Sequence, residues 1–348
     1  MSSAGKFVAQ MLEASASGYA GLAASLLLER HPEIVERYDP DAFANWKAQL
    51  QRWLVDLSAA LDSGAAKLFE SRMTWTRSEF ASRGAPVGDL LAALAALRDT
   101  LQEKLPPKVA ATAVDPISDA LRALEGTGAV ERVSSVAAPA AALAYLETIL
   151  AGNPREAVDR IVGPVDAASA AREVYLNVLM PAQREVGRLW HAGELTIAEE
   201  HVITTTTQRA MALLCERGRS SASTGKTVLL ASVAGNVHDI GIRAISDFFE
   251  MAGWRSVNLG PDVPDDEIAR SVAYFDADVL VLSAVLDPHL KSVRRVIERI
   301  GSLDGRKAKV IVGGPVFDPL PDLWRKIGAD GHAARVEDAV PLAAKLTD

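Results

Sequence analysis

A histidine stands where an apolar run gives way to an amphipathic one. Val228-Leu229-Leu230-Ala231-Ser232 reads as a buried strand, and Val237-His238-Asp239-Ile240-Gly241 reads as the loop and helix start that follow it. Open α/β sheets bind their ligands at the carboxyl ends of strands. An imidazole placed there can reach out of the crevice to a metal or cofactor. Gly241, three residues on, lets a bulky group pass close to the helix start.

The elements that position this loop follow from the pattern of the last 120 or so residues. Short apolar strands at 227–233, 255–259, 278–283 and 308–312 alternate with helices near 241–252, 264–273, 288–301, 320–327 and 337–346. Regular β-α alternation implies a parallel sheet covered on both faces. The expected fold here is a flavodoxin-like doubly wound sheet. The stretch Gly218 to Thr227 ends in Gly225-Lys226-Thr227, but it precedes a strand where a phosphate loop must follow one, so it reads as a linker.

Upstream the periodicity is helical. From 140 to 217 four segments carry Val174, Val178, Leu179 and Val186 as core positions, with Pro181 as a kink, and they suit a four-helix bundle. Residues 1–125 are Ala/Leu-rich, with Leu50, Trp53, Leu54, Leu57 and Leu61 at spacings of three and four. Breaks are expected at His31-Pro32, Asp39-Pro40, Gly84-Ala85-Pro86 and Pro106-Pro107. Linkers are expected from Glu125 to Pro139 and from Arg217 to Gly225. The whole is an α plus α/β architecture: an N-terminal all-helical domain at 1–125, a four-helix bundle at 140–217 and the doubly wound sheet at 226–348.

Composition narrows the class. The 348 residues suit two or three domains. The 49% apolar and 24% charged residues are those of a globular protein. A net charge of −8 and a pI near 5.4 supply no footprint for nucleic acid or an anionic membrane. The single cysteine, Cys215, excludes an internal disulfide and reads as a small buried hydrophobe on a helix. With no basic-then-apolar leader pattern and no run of 18 or more apolar residues, a cytoplasmic location is expected.

Taken together, His238 and Gly241, Ser283 in Val281-Leu282-Ser283-Ala284-Val285, and Gly313-Gly314 after Val310-Ile311-Val312 resemble the cobalamin-binding fold. The resemblance implies that His238 replaces the cofactor's own base as lower ligand to cobalt. The displaced nucleotide tail would thread into the sheet beside the side-chain-free Gly241, Gly313 and Gly314, and Asn236, Val237, Asp239, Ile240 and Val285 are expected among the cofactor-binding residues. Ser283 would offer its hydroxyl to the tail. Where the family pattern often has an acid two residues before the histidine, this chain has Asn236, which can orient the ring but not take its proton. Asp239 is expected to serve the following helix N-terminus.

The bundle segment Val186 to Leu195, followed by Thr196-Ile197-Ala198-Glu199-Glu200-His201, resembles the helical cap of cobalamin-dependent photoreceptors. That resemblance implies Trp190 over the upper face of adenosylcobalamin, Glu200 and His201 around the adenosyl group, and His191 as a cobalt ligand after photolysis. Thr196 and Glu199 fit a capping box, which leaves Glu200 for the ligand. The expected function is then a light-sensing regulator without enzymatic activity, signalling to an unidentified downstream protein. The alternatives are a corrinoid carrier for a methyltransferase and a cobalamin regulator without light. In the N-terminal domain Tyr38, Trp46, Trp53, Trp75 and Phe80 are candidates to line a bilin pocket, and apolar faces such as Leu90 to Leu101 are expected to make a homodimer.

Overall fold

The computed structural model describes residues 3–126, 138–219, 222–302 and 308–348. They fall into two compact units, Met1–Ser134 and Ser135–Asp348. The expected linker from Glu125 to Pro139 lies mostly outside the described residues, as do 220–221 of the second linker.

The first unit is helical among its described residues: α1 (Ser3–Arg30), α2 (Pro32–Tyr38), α3 (Ala42–Asp62), α4 (Lys67–Ser82), α5 (Val87–Lys104) and α6 (Pro107–Gly126). Its breaks fall where proline removes an N–H or glycine supplies a positive φ, as at Gly84. By length and composition Gly5–Arg30 is apolar enough to cross a membrane. Here its stripe Val8, Leu12, Ala16, Ala20, Ala23 and Leu27 is buried, and the helix packs on α3 and α5.

Two expectations for this unit are corrected. Trp46 and Trp53 are buried and pack ring against ring, with Tyr38, Trp53 and Phe80 at 5.7, 6.5 and 6.1 Å from Trp46, so these aromatics fill one another's space and leave no room for a bilin among them. Trp75 lies under the Arg72 guanidinium at 4.4 Å. Leu90, Leu94, Leu97 and Leu101 are fully buried, so α5 spends its apolar face on its own unit and does not offer it to a second copy.

The second unit opens with the bundle: α7 (Ala140–Leu150), α8 (Pro154–Val162), α9 (Ala168–Val174), α10 (Met180–His191) and α11 (Ile197–Gly218). Between α9 and α10 the chain stays helical through a π turn, Tyr175–Leu179. That turn lies directly before Pro181, which lacks the N–H an α-helix would need, so the expected kink takes the form of a widened turn.

The sheet follows: β1 (Thr227–Ser232), α12 (Ile240–Met251), β2 (Arg255–Asn258), α13 (Asp265–Tyr274), β3 (Val279–Ser283), α14 (His289–Gly301), β4 (Lys309–Gly313), α15 (Leu323–Lys326), β5 (Gly331–Ala333) and α16 (Ala339–Thr347). All pairings are parallel, in the order β2-β1-β3-β4-β5, the flavodoxin-like order. β1 is buried along its whole length, as a strand covered on both faces must be. Ala244, Phe248 and Met251 of α12 share a core with the bundle residues Tyr175, Met211 and Leu214, so α12 joins bundle to sheet.

Candidate functional site

Register collects the chemistry on one edge. Ser232, Ser283, Gly313 and Ala333 pair in a single row across β1, β3, β4 and β5. The strand order reverses direction between β1 and β3, and the loops that follow these two strands flank that switch point, where open α/β sheets take their ligands. His238 lies in the first of these loops and Val285 in the second.

The His238 loop is held by specific polar contacts. Asn236 is fully buried, and its Nδ2 donates to the Ser283 carbonyl at 3.1 Å across the crevice. That bond fixes the amide, so Oδ1 is the accepting end. It takes the His238 backbone N–H at 3.2 Å and lies 3.1 Å from His238 Nδ1. Nδ1 must therefore carry the ring proton, and Nε2 keeps its lone pair on an exposed side chain. This is the tautomer a metal-ligating imidazole requires. Ser232 Oγ donates to the His238 carbonyl at 2.9 Å and holds the residue from below.

Neighbouring loops brace the same segment. The Gly235 N–H donates to Asp262 Oδ1 at 2.7 Å, and the Asp262 N–H donates to the Asn236 carbonyl at 2.9 Å. Asp262 has φ +53, a left-handed conformation that a non-glycine residue holds only under constraint. His289, at the start of α14, is buried beneath the loop. Neither residue follows from sequence periodicity, because each acts through backbone groups, which carry no side-chain signature.

Asp239 has a different role from the one expected. Its carboxylate does not cap α12; it takes Gln208 Nε2 of α11 at 3.2 and 3.3 Å and Arg243 at 3.1 Å, tying the loop to the bundle. Val237 is 69% exposed beside it, and Ile240 packs partly against the bundle core. The glycines also separate. A Cβ on Gly241 would meet open space. On Gly313 it would lie 3.0 Å from the Ala333 carbonyl, and on Gly314, at φ +110, 2.1 Å from the Ala284 carbonyl. Gly313 and Gly314 are therefore demanded by the chain's own backbone, and Gly241 is the one with room beside it.

On the bundle side, Trp190 lies in the last turn of α10 with 42% exposure and stands edge-on to His191 at 5.4 Å. Thr196 and Glu199 form a capping box, with Glu199 Oε2 2.8 Å from the Thr196 N–H. Glu200 is thereby free to bind His201 Nδ1 and Thr204 Oγ1, both at 2.6 Å. Partial burial raises its carboxyl, but those two hydrogen bonds, with the charges of His201 and His238, hold it below the ordinary range.

Beneath α12 lies a buried polar seam. The Tyr175 hydroxyl lies 2.6 Å from Asp247 Oδ2 and 2.9 Å from the Met211 carbonyl, and Cys215 Sγ lies 3.5 Å from Glu250 Oε2. Burial pushes the Asp247 carboxyl up to about 6 against the hydrogen bonds of Tyr175 and Cys215, and raises the Cys215 thiol and the Tyr175 hydroxyl as well.

Known proteins match this unit. Residues 226–344 fit a family model described as B12 binding domain, and residues 142–214 fit a second model of the same description. Dimethylamine corrinoid protein 1 of Methanosarcina acetivorans is 31% identical over 197 residues, which is 55% of this chain and 88% of that protein. The chain belongs to the family of B12-binding corrinoid proteins. A corrinoid protein of Desulfitobacterium hafniense is 28% identical over 206 residues, 58% of this chain and 91% of its own length. The solved monomethylamine corrinoid protein of Methanosarcina barkeri shares the fold, with a TM-score of 0.50 at 22% identity, covering 60% of this chain and 97% of that one.

These relatives correct the expected function. They are corrinoid proteins, two of them named for methylamines, and not photoreceptors. The light-sensing reading, with its regulatory output, rested on Trp190, Glu200 and His201 at one spacing and on Asn236 in place of an acid. The buried Asn236 fixes the His238 tautomer without an acid, so its presence does not argue against a carrier.

Proposed function

We propose that this chain is a corrinoid carrier protein that presents a methyl group to and from a methyltransferase, and is not itself an enzyme. The observation that carries the reading is His238, held by Asn236 with Nε2 outward at the crevice of a B12 binding domain. A corrinoid bound there supplies a cobalt centre that accepts and releases a methyl group. The chain's own part is to hold and orient. His238 would be the lower ligand, Gly241 leaves space at the helix start, and Ser283, Val285, Val237 and Ile240 would lie along the bound group. Trp190, His191, Glu200 and His201 stand on the bundle side, where they would face the upper ligand, methyl in this reading and not adenosyl. The relatives' names make a methylated amine the first substrate class to test. The reading keeps the cytoplasm as the location.

The test is reconstitution with methylcobalamin. Stoichiometric binding with a histidine-ligated spectrum is expected, together with loss of the methyl group to a thiol when a methylcobalamin:thiol methyltransferase is added. His238→Ala should weaken binding at least tenfold and lose that spectrum. Tight binding with the cofactor's own base still on cobalt would overturn the reading.

A further inference from the structure

We propose that His289 is a positioning residue for cobalt ligation: a buried imidazole that locks the loop carrying His238 to the loop after β3 and so sets the reach of His238 Nε2 into the crevice. His289 is 6% exposed, at the first position of α14. Its Nδ1 accepts two backbone N–H bonds, from Val285 and Leu286, each at 3.1 Å. An imidazole nitrogen that accepts cannot carry the proton, so the neutral ring holds it on Nε2. That atom lies against Gly235, where an added Cβ would stand 3.8 Å from it. One side chain thus satisfies two backbone groups of the loop after β3 and packs against the loop after β1, the two loops that flank the switch point. Burial shifts the ring toward its neutral form, the form in which Nδ1 can accept.

The link to His238 is short. Gly235 is at φ +82, three residues before His238, and the Asn236 amide that orients the His238 ring follows directly. Asp262 holds Gly235 through its N–H, and the His289 ring packs against it from below. Removing the His289 contact leaves the Asn236 relay intact but frees the turn on which it stands. The expected result is an imidazole of the right tautomer at the wrong depth. A merely structural role would cost stability and leave ligation alone.

This inference rests on the cobalamin reading above. The probe is cob(II)inamide, a corrinoid without its own base, so nitrogen splitting in its electron paramagnetic resonance spectrum reports a protein imidazole. Methylcobalamin titration gives Kd alongside. His289→Asn can place Oδ1 where Nδ1 stood and hold Val285 and Leu286, but is too short for Gly235; His289→Gln reaches Gly235 and gives up the Nδ1 position. H289N is expected to halve the nitrogen-ligated fraction or worse and to raise Kd at least fivefold, with a melting temperature within a few degrees of the native protein, while H289Q retains most of the ligation. In the H238A background, H289N should change Kd less than twofold, because its effect runs through His238. Native ligation and Kd in H289N, or an undiminished Kd effect in the H238A background, would overturn the role of His289. No nitrogen splitting in the wild-type protein would bring down the cobalamin reading itself, and this inference with it.

Discussion

The first unit and the ligand edge of the second use the same residue types to opposite ends. In the first, Trp46 and Trp53 are buried among aromatic partners, and Asp89 is buried with Arg37 and with the Tyr38 hydroxyl at 3.0 Å. Rings and charges there are consumed within the fold. At the ligand edge Trp190 is nearly half exposed, His238 keeps an unspent nitrogen, and the buried polar groups around it serve only to aim it. Spacing is alike in both places. What separates core from site is whether a neighbouring element arrives to cover the side chain, and that is a tertiary property.

The sharpest test of this contrast is Trp53→Ala. It should cost about 3–5 kcal/mol, the usual loss for a large buried aromatic, and leave methylcobalamin affinity of the folded protein unchanged; chemical denaturation and a binding titration read both. Next comes the buried seam. The Asp247 carboxyl binds its proton more tightly folded than unfolded, so its stabilising contribution is present at low pH and is lost as pH rises through about 6. Two or so pH units of separation correspond to about 2–3 kcal/mol. Denaturation midpoints between about pH 4 and 7 should show that slope, and Asp247→Asn should flatten it.

Asn236→Asp would install the acid that the family resemblance leads one to expect. Here the Ser283 carbonyl needs a donor from this side chain. A carboxylate supplies none, and the variant should lose about 1–3 kcal/mol at neutral pH. Equal stability would show that the Asn236 relay does not fix the ring. At the small end, Trp190→Ala should change stability by less than about 0.5 kcal/mol, as expected of a surface position. A loss as large as that of Trp53→Ala would erase the distinction between the two regions.

Much of the fold was legible because it follows from burial period. The expected strands at 227–233, 255–259, 278–283 and 308–312 correspond to β1 to β4 within a residue or so, since each is an apolar run between turn residues. β5 escaped notice: Gly331-His332-Ala333 is too short and too mixed to give a signal. The expected helix at 320–327 contracts to Leu323–Lys326, behind a 3-10 turn at Pro315–Phe317. At the site, His238 was legible from its place after a strand, and the capping box of Thr196 and Glu199 from its local pattern. His289, Asp262 and Gln208 were not, because their partners lie 27 or more residues away or are backbone groups that carry no side-chain signature. The aromatic spacing in the first unit misled for the converse reason: it was a true helical period whose occupant was the protein itself.

The π turn at Tyr175–Leu179 has a consequence for everything beyond it. An α-helix advances about 100° per residue, so the extra residue housed in that wide turn sets the azimuth of the helix that follows. Deleting one residue from 175–179 would relax the segment into an uninterrupted α-helix with the bearing of Trp190 and His191 nearly kept, whereas tightening the turn to α geometry with every residue retained would swing them around the axis by about a quarter of a revolution. The indole would then be aimed along a different bearing, with every side chain of the site still present in the gene.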